Sequence, residues 1–198
     1  MTAPFGLVLA GGRSTRMRAD KAALAYGPRP QLAAAYELVA RQVARAFVSV
    51  RADQATEPLR AAYPQVVDGD AGRGPIAGIL AAQALHPDRA WLVVACDLPQ
   101  LDDATLADLL RKRDPARLAT CFASARDRLP EPLCAIYEPS SHALLAAQVL
   151  EGLDCPRKFL MRNDVRVLEP RPGAALENAN TPEDAAAARA ALAARGAA

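Results

Sequence analysis

The sequence has few of the residues that build disulfide frameworks and metal clusters. Its 198 residues include four cysteines and two histidines, and no two cysteines form a C-x-x-C pair. Neither a disulfide-stapled fold nor a histidine-rich metal site is therefore expected. With only two histidines, we also identify no Ser/His/Asp catalytic triad in the sequence. We therefore expect chemistry that needs no side-chain nucleophile.

An excess of one charge and long apolar runs are lacking as well. Lys and Arg number 24 against 22 Asp and Glu, which gives a formal net charge of +2. A general nucleic-acid binder usually carries a large basic excess, so nucleic acid is not an expected partner. No apolar run approaches the roughly 20 residues that cross a bilayer, and residues 5–10 lack the basic leader of a signal peptide. We expect a cytoplasmic protein with no membrane partner.

What the sequence does contain is a large apolar fraction, 52%, spread along the whole chain. This fraction excludes a disordered protein, and at this length it predicts one compact domain over residues 1–198. Short apolar runs alternate with segments of helical spacing. That alternation predicts an α/β fold, a three-layer sandwich around an open and mostly parallel sheet.

The predicted elements indicate where a ligand should bind. Strands are predicted at residues 5–9, 47–50, 65–67, 91–95, 119–123, 133–137 and 165–168. Helices are predicted at 31–44, 75–85, 102–112 and 140–150, and a last helix begins at Thr181 and Pro182. In such sheets ligands bind at the carboxyl ends of the strands. That rule selects the segments that follow Leu9, Val67 and Ala95.

The segment after the first strand carries the strongest chemical signal. From residue 9 to residue 21 it reads Leu-Ala-Gly-Gly-Arg-Ser-Thr-Arg-Met-Arg-Ala-Asp-Lys. Two adjacent glycines let backbone N–H groups approach an anion closely, and the arginines and lysine supply charge for a polyphosphate. The string matches neither a P-loop nor a dinucleotide-binding turn. Taken by itself, a glycine pair with nearby arginines also fits an ordinary basic surface loop.

The complete string resembles the signature of the molybdenum cofactor guanylyltransferase (molybdopterin-guanine dinucleotide biosynthesis protein A) family of MobA-like NTP transferases. Asp68 stands where this family has an acid after its third strand. Three further segments resemble family motifs in the same order, namely Gly74-Pro75-Ile76-Ala77-Gly78, Cys96-Asp97-Leu98-Pro99 and Asn178-Ala179-Asn180-Thr181-Pro182-Glu183-Asp184. The resemblance therefore covers most of the chain.

The resemblance implies a Rossmann-like nucleotidyltransferase sheet of the GT-A type. It implies transfer of GMP from GTP to molybdopterin, with or without its molybdenum, which yields the guanine dinucleotide cofactor and pyrophosphate. The implied nucleotide-binding residues are Leu9, Ala10, Gly11, Gly12, Arg13, Ser14, Arg16, Lys21, Asp68, Gly74 and Pro75. The implied catalytic residues are Lys21, Arg16 and Asp97, with Asp97 also binding Mg²⁺, and the implied acceptor-binding residues are Asn178 and Asn180. Proteins that deliver molybdopterin or accept the finished cofactor are the partners that fit this activity.

Alternatives remain open for several of these residues. Asp68, Asp97 and the two asparagines are also common turn and capping residues. Residues 157–162 fit either a solvated helix face or a phosphate-binding patch on the acceptor side. Residues 51–54 replace an asparagine-rich turn that guanine-specific members carry near the base. A related transferase that uses CTP or another phosphorylated acceptor is thus a second hypothesis, and a non-catalytic nucleotide-binding module is a third.

Overall fold

The computed structural model describes residues 2–12, 20–69 and 73–196. The strands are β1 (Phe5–Leu9), β2 (Ala46–Arg51), β3 (Gln65–Asp68), β4 (Trp91–Ala95), β5 (Ala119–Ala123), β6 (Pro130–Tyr137) and β7 (Arg166–Leu168). The helices are α1 (Gln31–Ala40), α2 (Pro58–Ala61), α3 (Pro75–Leu85), α4 (Asp103–Arg111), α5 (His142–Leu150), α6 (Pro156–Arg162) and α7 (Pro182–Gly196). None of these helices is long and apolar enough to cross a membrane.

The strands form one sheet in the order β3-β2-β1-β4-β6-β5-β7. β1 pairs in parallel with β2 and β4, and β2 pairs in parallel with β3. β6 runs antiparallel to both β4 and β5, whereas β7 is parallel to β5. The predicted mostly parallel α/β sheet is confirmed. Because β1 to β4 share one direction, their carboxyl ends meet at one edge, and the loops that follow them are neighbours.

Both faces of the sheet are buried, as the short apolar runs predict. Successive side chains point to opposite faces, so that Leu7 of β1 joins one apolar cluster and Val8 joins the other. The cluster around Val8 includes side chains of α1 and α4. The cluster around Leu7 includes side chains of α3, α5 and α6. Helices therefore cover the sheet on both sides, and the predicted three-layer sandwich is confirmed.

The predicted strands and helices are confirmed, with differences in their bounds. The first helix ends at Ala40 rather than at residue 44, and β6 begins at Pro130 rather than at residue 133. Pro130 pairs with Ala123 next to an irregularity in the β5–β6 register, a place where a proline does not break the ladder of hydrogen bonds. Helix α2 was not predicted, because its four residues are too few to show a helical period. Helix α6 was not among the predicted helices either, since residues 157–162 fitted either a helix face or a phosphate-binding patch.

Candidate active site

A cavity of about 370 Å³ lies at the carboxyl edge of the four neighbouring parallel strands. Its wall includes the ends of β1, β2, β3 and β4 and the start of α3. The lining residues are Leu9, Ala10, Gly11, Gly12, Asp20, Lys21, Ala22, Ser49, Arg51, Asp68, Gly74, Pro75, Gly78, Ala95, Cys96, Asp97, Leu133 and Asn180. The position and volume are those of a small-molecule site in an open α/β sheet.

Backbone hydrogen bonds fix the first residues of the loops that follow β1 and β4 to the neighbouring strands. The Ala10 amide donates to the Ser49 carbonyl over 3.1 Å, and the Cys96 amide donates to the Leu9 carbonyl over 3.1 Å. Arg51 and Asp68 are direct partners in the β2–β3 ladder. Each loop therefore leaves the sheet from a fixed starting point.

Every predicted nucleotide-binding residue that the structure describes lines this cavity. They are Leu9, Ala10, Gly11, Gly12, Lys21, Asp68, Gly74 and Pro75. The predicted residues Arg13, Ser14 and Arg16 lie outside the described part of the chain. The fold thus brings together segments that are up to 66 positions apart in the sequence, as the strand-end rule requires.

Lys21 connects the predicted catalytic and acceptor-binding residues. Its Nζ donates to Asp97 Oδ2 over 2.8 Å and to Asn180 Oδ1 over 2.5 Å. The Lys21 and Asp97 side chains are only 19% and 20% exposed. A charge-assisted pair with so little solvent is stronger than an exposed surface pair. The three residues therefore form one polar cluster in the wall of the first cavity.

The C-terminal motif is held against the β4 loop by its backbone. The Ala179 amide donates to the Asp97 carbonyl over 3.0 Å. Asp184 accepts from the amides of Asn180 and Thr181, and its own amide donates to Thr181 Oγ1. The two backbone donors lower the pKa of the Asp184 carboxyl. Thr181 therefore caps α7 as predicted, and the same cap fixes the Asn180 backbone next to Lys21.

Helix α3 approaches the sheet closely at the second motif. Gly74 precedes the helix with φ of 67°, a conformation that glycine adopts without strain. A Cβ on Gly78 would lie 2.3 Å from Ser49 Oγ. These two glycines allow the start of α3 to pack directly on β2, and the helix then forms one wall of the cavity.

Asp97 is the predicted ligand of a divalent cation, and a carboxylate is a donor that such cations prefer. Its side chain lines the first cavity, and its Oδ2 accepts the Lys21 ammonium. The described residues contain no cluster of three or more His, Cys, Asp or Glu side chains that could hold a metal. A metal at Asp97 would therefore complete its coordination with substrate phosphates and water, which is the arrangement that Mg²⁺ prefers.

Cys96 lies beside Asp97 in the wall of the first cavity. Its side chain is buried, and this burial, together with the neighbouring Asp97 charge, raises the pKa of the thiol to about 12. A thiol with such a pKa stays protonated at neutral pH and is unreactive.

A second cavity of about 940 Å³ adjoins the first. Both predicted acceptor-binding residues, Asn178 and Asn180, line it, and Asn180 lines the first cavity as well. Three arginines contribute to its wall, namely Arg126, Arg157 and Arg171. Lys158 and Arg162 are exposed and do not belong to that wall. Of the basic residues at 157–162, therefore, Arg157 alone faces the second cavity, at the N-terminal end of α6.

Two arginines near the first cavity were not among the predicted site residues. Arg51 lines the cavity and donates to the Gly11 carbonyl and to Asp53. Arg60 lies behind the cavity and contacts Ala10 and Asp20, the residues at the two ends of the signature loop. In the sequence, Arg51 was seen only as a departure from an asparagine-rich turn. Arg60 gave no signal, because an isolated arginine usually lies at the surface.

A parallel sheet whose strand ends carry a glycine pair, a lysine and an aspartate around one cavity is the arrangement of a nucleotidyltransferase. Residues 6–167 match the family model of the MobA-like NTP transferase domain. The chain belongs to this family.

Two relatives illustrate the similarity. A molybdenum cofactor guanylyltransferase of Pseudomonas aeruginosa is 34% identical over 189 residues, which cover 89% of this chain and 90% of the relative. A molybdenum cofactor biosynthesis bifunctional protein of Synechocystis is 34% identical over 180 residues, which cover 91% of this chain. The chain spans about half of that bifunctional protein, 52% of its length.

Two solved structures are similar in fold. Molybdopterin-guanine dinucleotide biosynthesis protein A of Archaeoglobus fulgidus superposes with a TM-score of 0.80 at 24% identity, covering 96% of this chain and 98% of its own. A Mycobacterium tuberculosis protein in complex with manganese superposes with a TM-score of 0.61 at 25% identity, covering 85% of this chain and 88% of its own. The first match shows that the α/β fold is shared, and the second is a similar protein whose structure holds manganese.

Proposed function

We propose that this protein transfers GMP from GTP to molybdopterin and releases pyrophosphate, which makes it a molybdenum cofactor guanylyltransferase. The observation that carries the proposal is the cluster of Lys21, Asp97 and Asn180 where the two cavities meet. A relative of that name, 34% identical over nearly its full length, supports the substrates.

The proposed reaction forms one bond and breaks one bond at the α-phosphorus of GTP. A phosphate oxygen of the acceptor bonds to the α-phosphorus. The bond from that phosphorus to the oxygen bridging the α- and β-phosphates breaks, and pyrophosphate leaves with the electron pair. Repulsion between the charged phosphates and their alignment are the main obstacles, so catalysis depends on fixed positive charge and positioning.

Lys21 and Asp97 have different proposed roles in stabilising the charge on the phosphates. Asp97 would hold Mg²⁺, and the bound ion would neutralise the phosphate oxygens. The Lys21 ammonium, held 2.8 Å from Asp97 Oδ2, donates hydrogen bonds to the phosphates as charge accumulates on the leaving pyrophosphate. Arg13, Ser14 and Arg16 are proposed to hold the triphosphate on the strength of the family signature alone.

The glycine pair supports close approach of a ligand to the backbone. A Cβ on Gly12 would have no described protein atom within 4 Å. Gly12 is also not among the described glycines with a positive φ. Neither packing among the described residues nor backbone conformation requires glycine at this position. A phosphate that approaches the bare backbone would account for glycine here, so we assign Gly11 and Gly12 to the nucleotide.

Asp68 supports guanine as the base. Asp68 is 8% exposed as a residue and lies at the end of β3 in the wall of the first cavity. A carboxylate offers two acceptors, and guanine carries an N1–H donor next to an N2 amino donor. Cytosine and adenine do not present such a pair of adjacent donors. We therefore assign Asp68 to the guanine edge, even though Arg51 stands in place of the asparagine-rich turn.

The second cavity is the proposed acceptor site. Asn178 and Asn180 supply amide donors and acceptors for a pterin, and Arg126 and Arg171 are the proposed contacts of its phosphate. The wall also carries four acidic side chains, namely Asp127, Glu131, Glu177 and Asp184. Because Asn180 lines both cavities, an acceptor bound here would present its phosphate beside Lys21. A cytoplasmic location, and partner proteins that deliver molybdopterin or accept the product, belong to the same proposal.

The test is a pyrophosphate-release assay with Mg²⁺ that compares GTP, CTP, ATP and UTP, each with and without molybdopterin. We expect release with GTP that depends on molybdopterin and that is at least about tenfold faster than with the other nucleotides, a discrimination of ~1.4 kcal/mol. A preference for CTP would support the cytidylyl hypothesis instead. Nucleotide binding with no turnover for any acceptor would support a non-catalytic module.

A further inference from the structure

Arg60 is a buried charge whose every donor is used. Its side chain is 1% exposed and extends from the four-residue helix α2. Its Nε and Nη2 donate to the Ala10 carbonyl over 3.2 and 3.0 Å. Its Nη1 and Nη2 donate to the two Asp20 carboxylate oxygens over 2.7 and 2.9 Å, and Nη1 also donates to Glu57. These bonds occupy all five N–H groups of the guanidinium.

Two of the three partners of Arg60, Ala10 and Asp20, lie at the ends of the signature loop, which we define as residues 10–20. Ala10 immediately precedes the glycine pair, and Asp20 immediately precedes Lys21. One guanidinium plane therefore joins the point where the chain leaves β1 to the point where it returns. The planar fork of arginine can hold a carbonyl and a carboxylate at once, which the single ammonium of lysine cannot do with the same geometry.

Asp20, which Arg60 holds in place, in turn fixes the backbone around Lys21. The Ala22 amide donates to Asp20 Oδ1 over 3.1 Å, and the Ala23 amide donates to the Asp20 carbonyl over 3.0 Å. These two bonds form the turn that contains Lys21. This turn therefore sets the direction from which the Lys21 side chain reaches Asp97 and Asn180.

We propose that Arg60 is a positioning residue of the nucleotide site, which fastens both ends of the signature loop and, through Asp20, aims Lys21 at Asp97. The proposal rests on the nucleotidyl transfer proposed above. A buried arginine with two carboxylate partners is a costly way to gain stability alone, since an apolar residue of similar volume often serves as well or better. The guanidinium is therefore explained by the loop geometry that it imposes.

The first test replaces Arg60 by lysine, which keeps the charge and loses the fork. We expect the Arg60→Lys variant to lower kcat about tenfold or more in the pyrophosphate-release assay, at a temperature where thermal unfolding shows it to be folded. The matched control is Arg41→Lys, because Arg41 makes a two-point contact with Asp103 at an exposed position that is not part of either cavity. The control should change kcat less than twofold.

The second test separates positioning from a general loss of structure. If Arg60 acts through Lys21, the Arg60→Lys change should lower kcat about tenfold in the native background and less than twofold in a Lys21→Ala background. An equal loss in both backgrounds would overturn the proposal. Asp20→Asn provides an independent variant of the same link, and its effect should likewise vanish when Lys21 is absent.

A third readout does not depend on nucleotidyl transfer. The rate at which a water-soluble acylating reagent modifies Lys21 can be measured by mass spectrometry. We expect Lys21, which is 19% exposed and ion-paired, to react several-fold faster in Arg60→Lys and at the native rate in Arg41→Lys. An unchanged rate in Arg60→Lys would contradict the proposal. A native protein that transfers no nucleotide would instead count against the proposed function, while this readout would still test Arg60.

Discussion

The ammonium group of Lys21 lies between a carboxylate of the β4 loop and an amide of the C-terminal motif. These residues come from three distant parts of the sequence, and each was predicted from a separate motif. What the sequence could not predict is that they contact one another directly. That contact depends on the parallel register of β1 and β4, which places Leu9 beside Ala95 and so brings the two loops together.

Removing the Asp97 carboxylate should abolish most of the transfer. We expect Asp97→Ala to lower the rate by at least about 10²-fold, because the carboxylate holds the metal that stabilises charge on the phosphates. The variant should remain folded, with a lower melting temperature because the partly buried Lys21 ammonium loses its carboxylate partner. Transfer rates with Mg²⁺ and thermal unfolding measure the two effects, with the exposed Asp164→Ala as the control. Retained activity in Asp97→Ala would contradict the metal assignment.

Removing the Lys21 ammonium should affect turnover more than binding. We expect Lys21→Ala to lower kcat by about 10²-fold, since loss of one transition-state donor typically costs that much. The dissociation constant for GTP should rise less than about tenfold. Single-turnover kinetics and equilibrium binding separate the two quantities. Weaker binding with an unchanged kcat would show that Lys21 only holds the nucleotide.

Asp20 should make folding stability sensitive to acid. Burial raises the pKa of its carboxyl, but hydrogen bonds from Arg60 and the Ala22 amide outweigh burial, so the pKa lies below its ordinary value of 3.8. The resulting stabilisation is present above pH 3.8 and is lost as the pH falls through the lower folded-state pKa. The stability gap between the native protein and Asp20→Asn, measured by denaturant unfolding, should therefore narrow below about pH 4. A gap that is constant from pH 7 to pH 3 would contradict this.

At the scale of elements, buried strands were the easiest features to predict. Each is a short apolar run bounded by turn residues, and β1, β4 and β5 have the predicted bounds. The antiparallel direction of β6 is not encoded in such a run, because direction depends on pairing with β4 and β5. Helix α2 is too short to be predicted from its sequence. Arg60 on that helix could not be predicted to be buried either, because its carboxylate partners are Asp20, 40 positions away, and Glu57, three positions away.

The close packing of α3 on β2 gives a test at this scale. Gly78→Ala would bring a methyl group to 2.3 Å from Ser49 Oγ, and both residues are buried. We expect a net loss of about 1–3 kcal/mol of folding free energy, although alanine is otherwise the better helix former. Gly27→Ala is the control, because a Cβ there meets no described atom within 4 Å. Denaturant unfolding compares the two, and a stabilised Gly78→Ala variant would contradict the packing.

At the scale of the whole molecule, the small net charge conceals an uneven distribution. Residues 13–21 carry four positive charges and one acid, a local charge of +3, and the remainder of the chain therefore sums to −1. A mildly acidic remainder with the positive charge concentrated in one segment of the sequence suits one triphosphate better than a long polyanion. The two adjoining cavities complete this layout, since they share Asn180 beside Lys21.

Isotope tracing follows transfer of the GMP unit at the α-phosphorus from substrate to product. GTP labelled at the α-phosphate or at the γ-phosphate is incubated with the protein, Mg²⁺ and molybdopterin, and the products are separated. We expect the α label in the molybdopterin dinucleotide and the γ label in pyrophosphate. The γ label in orthophosphate, with no α label joined to molybdopterin, would contradict the proposed reaction.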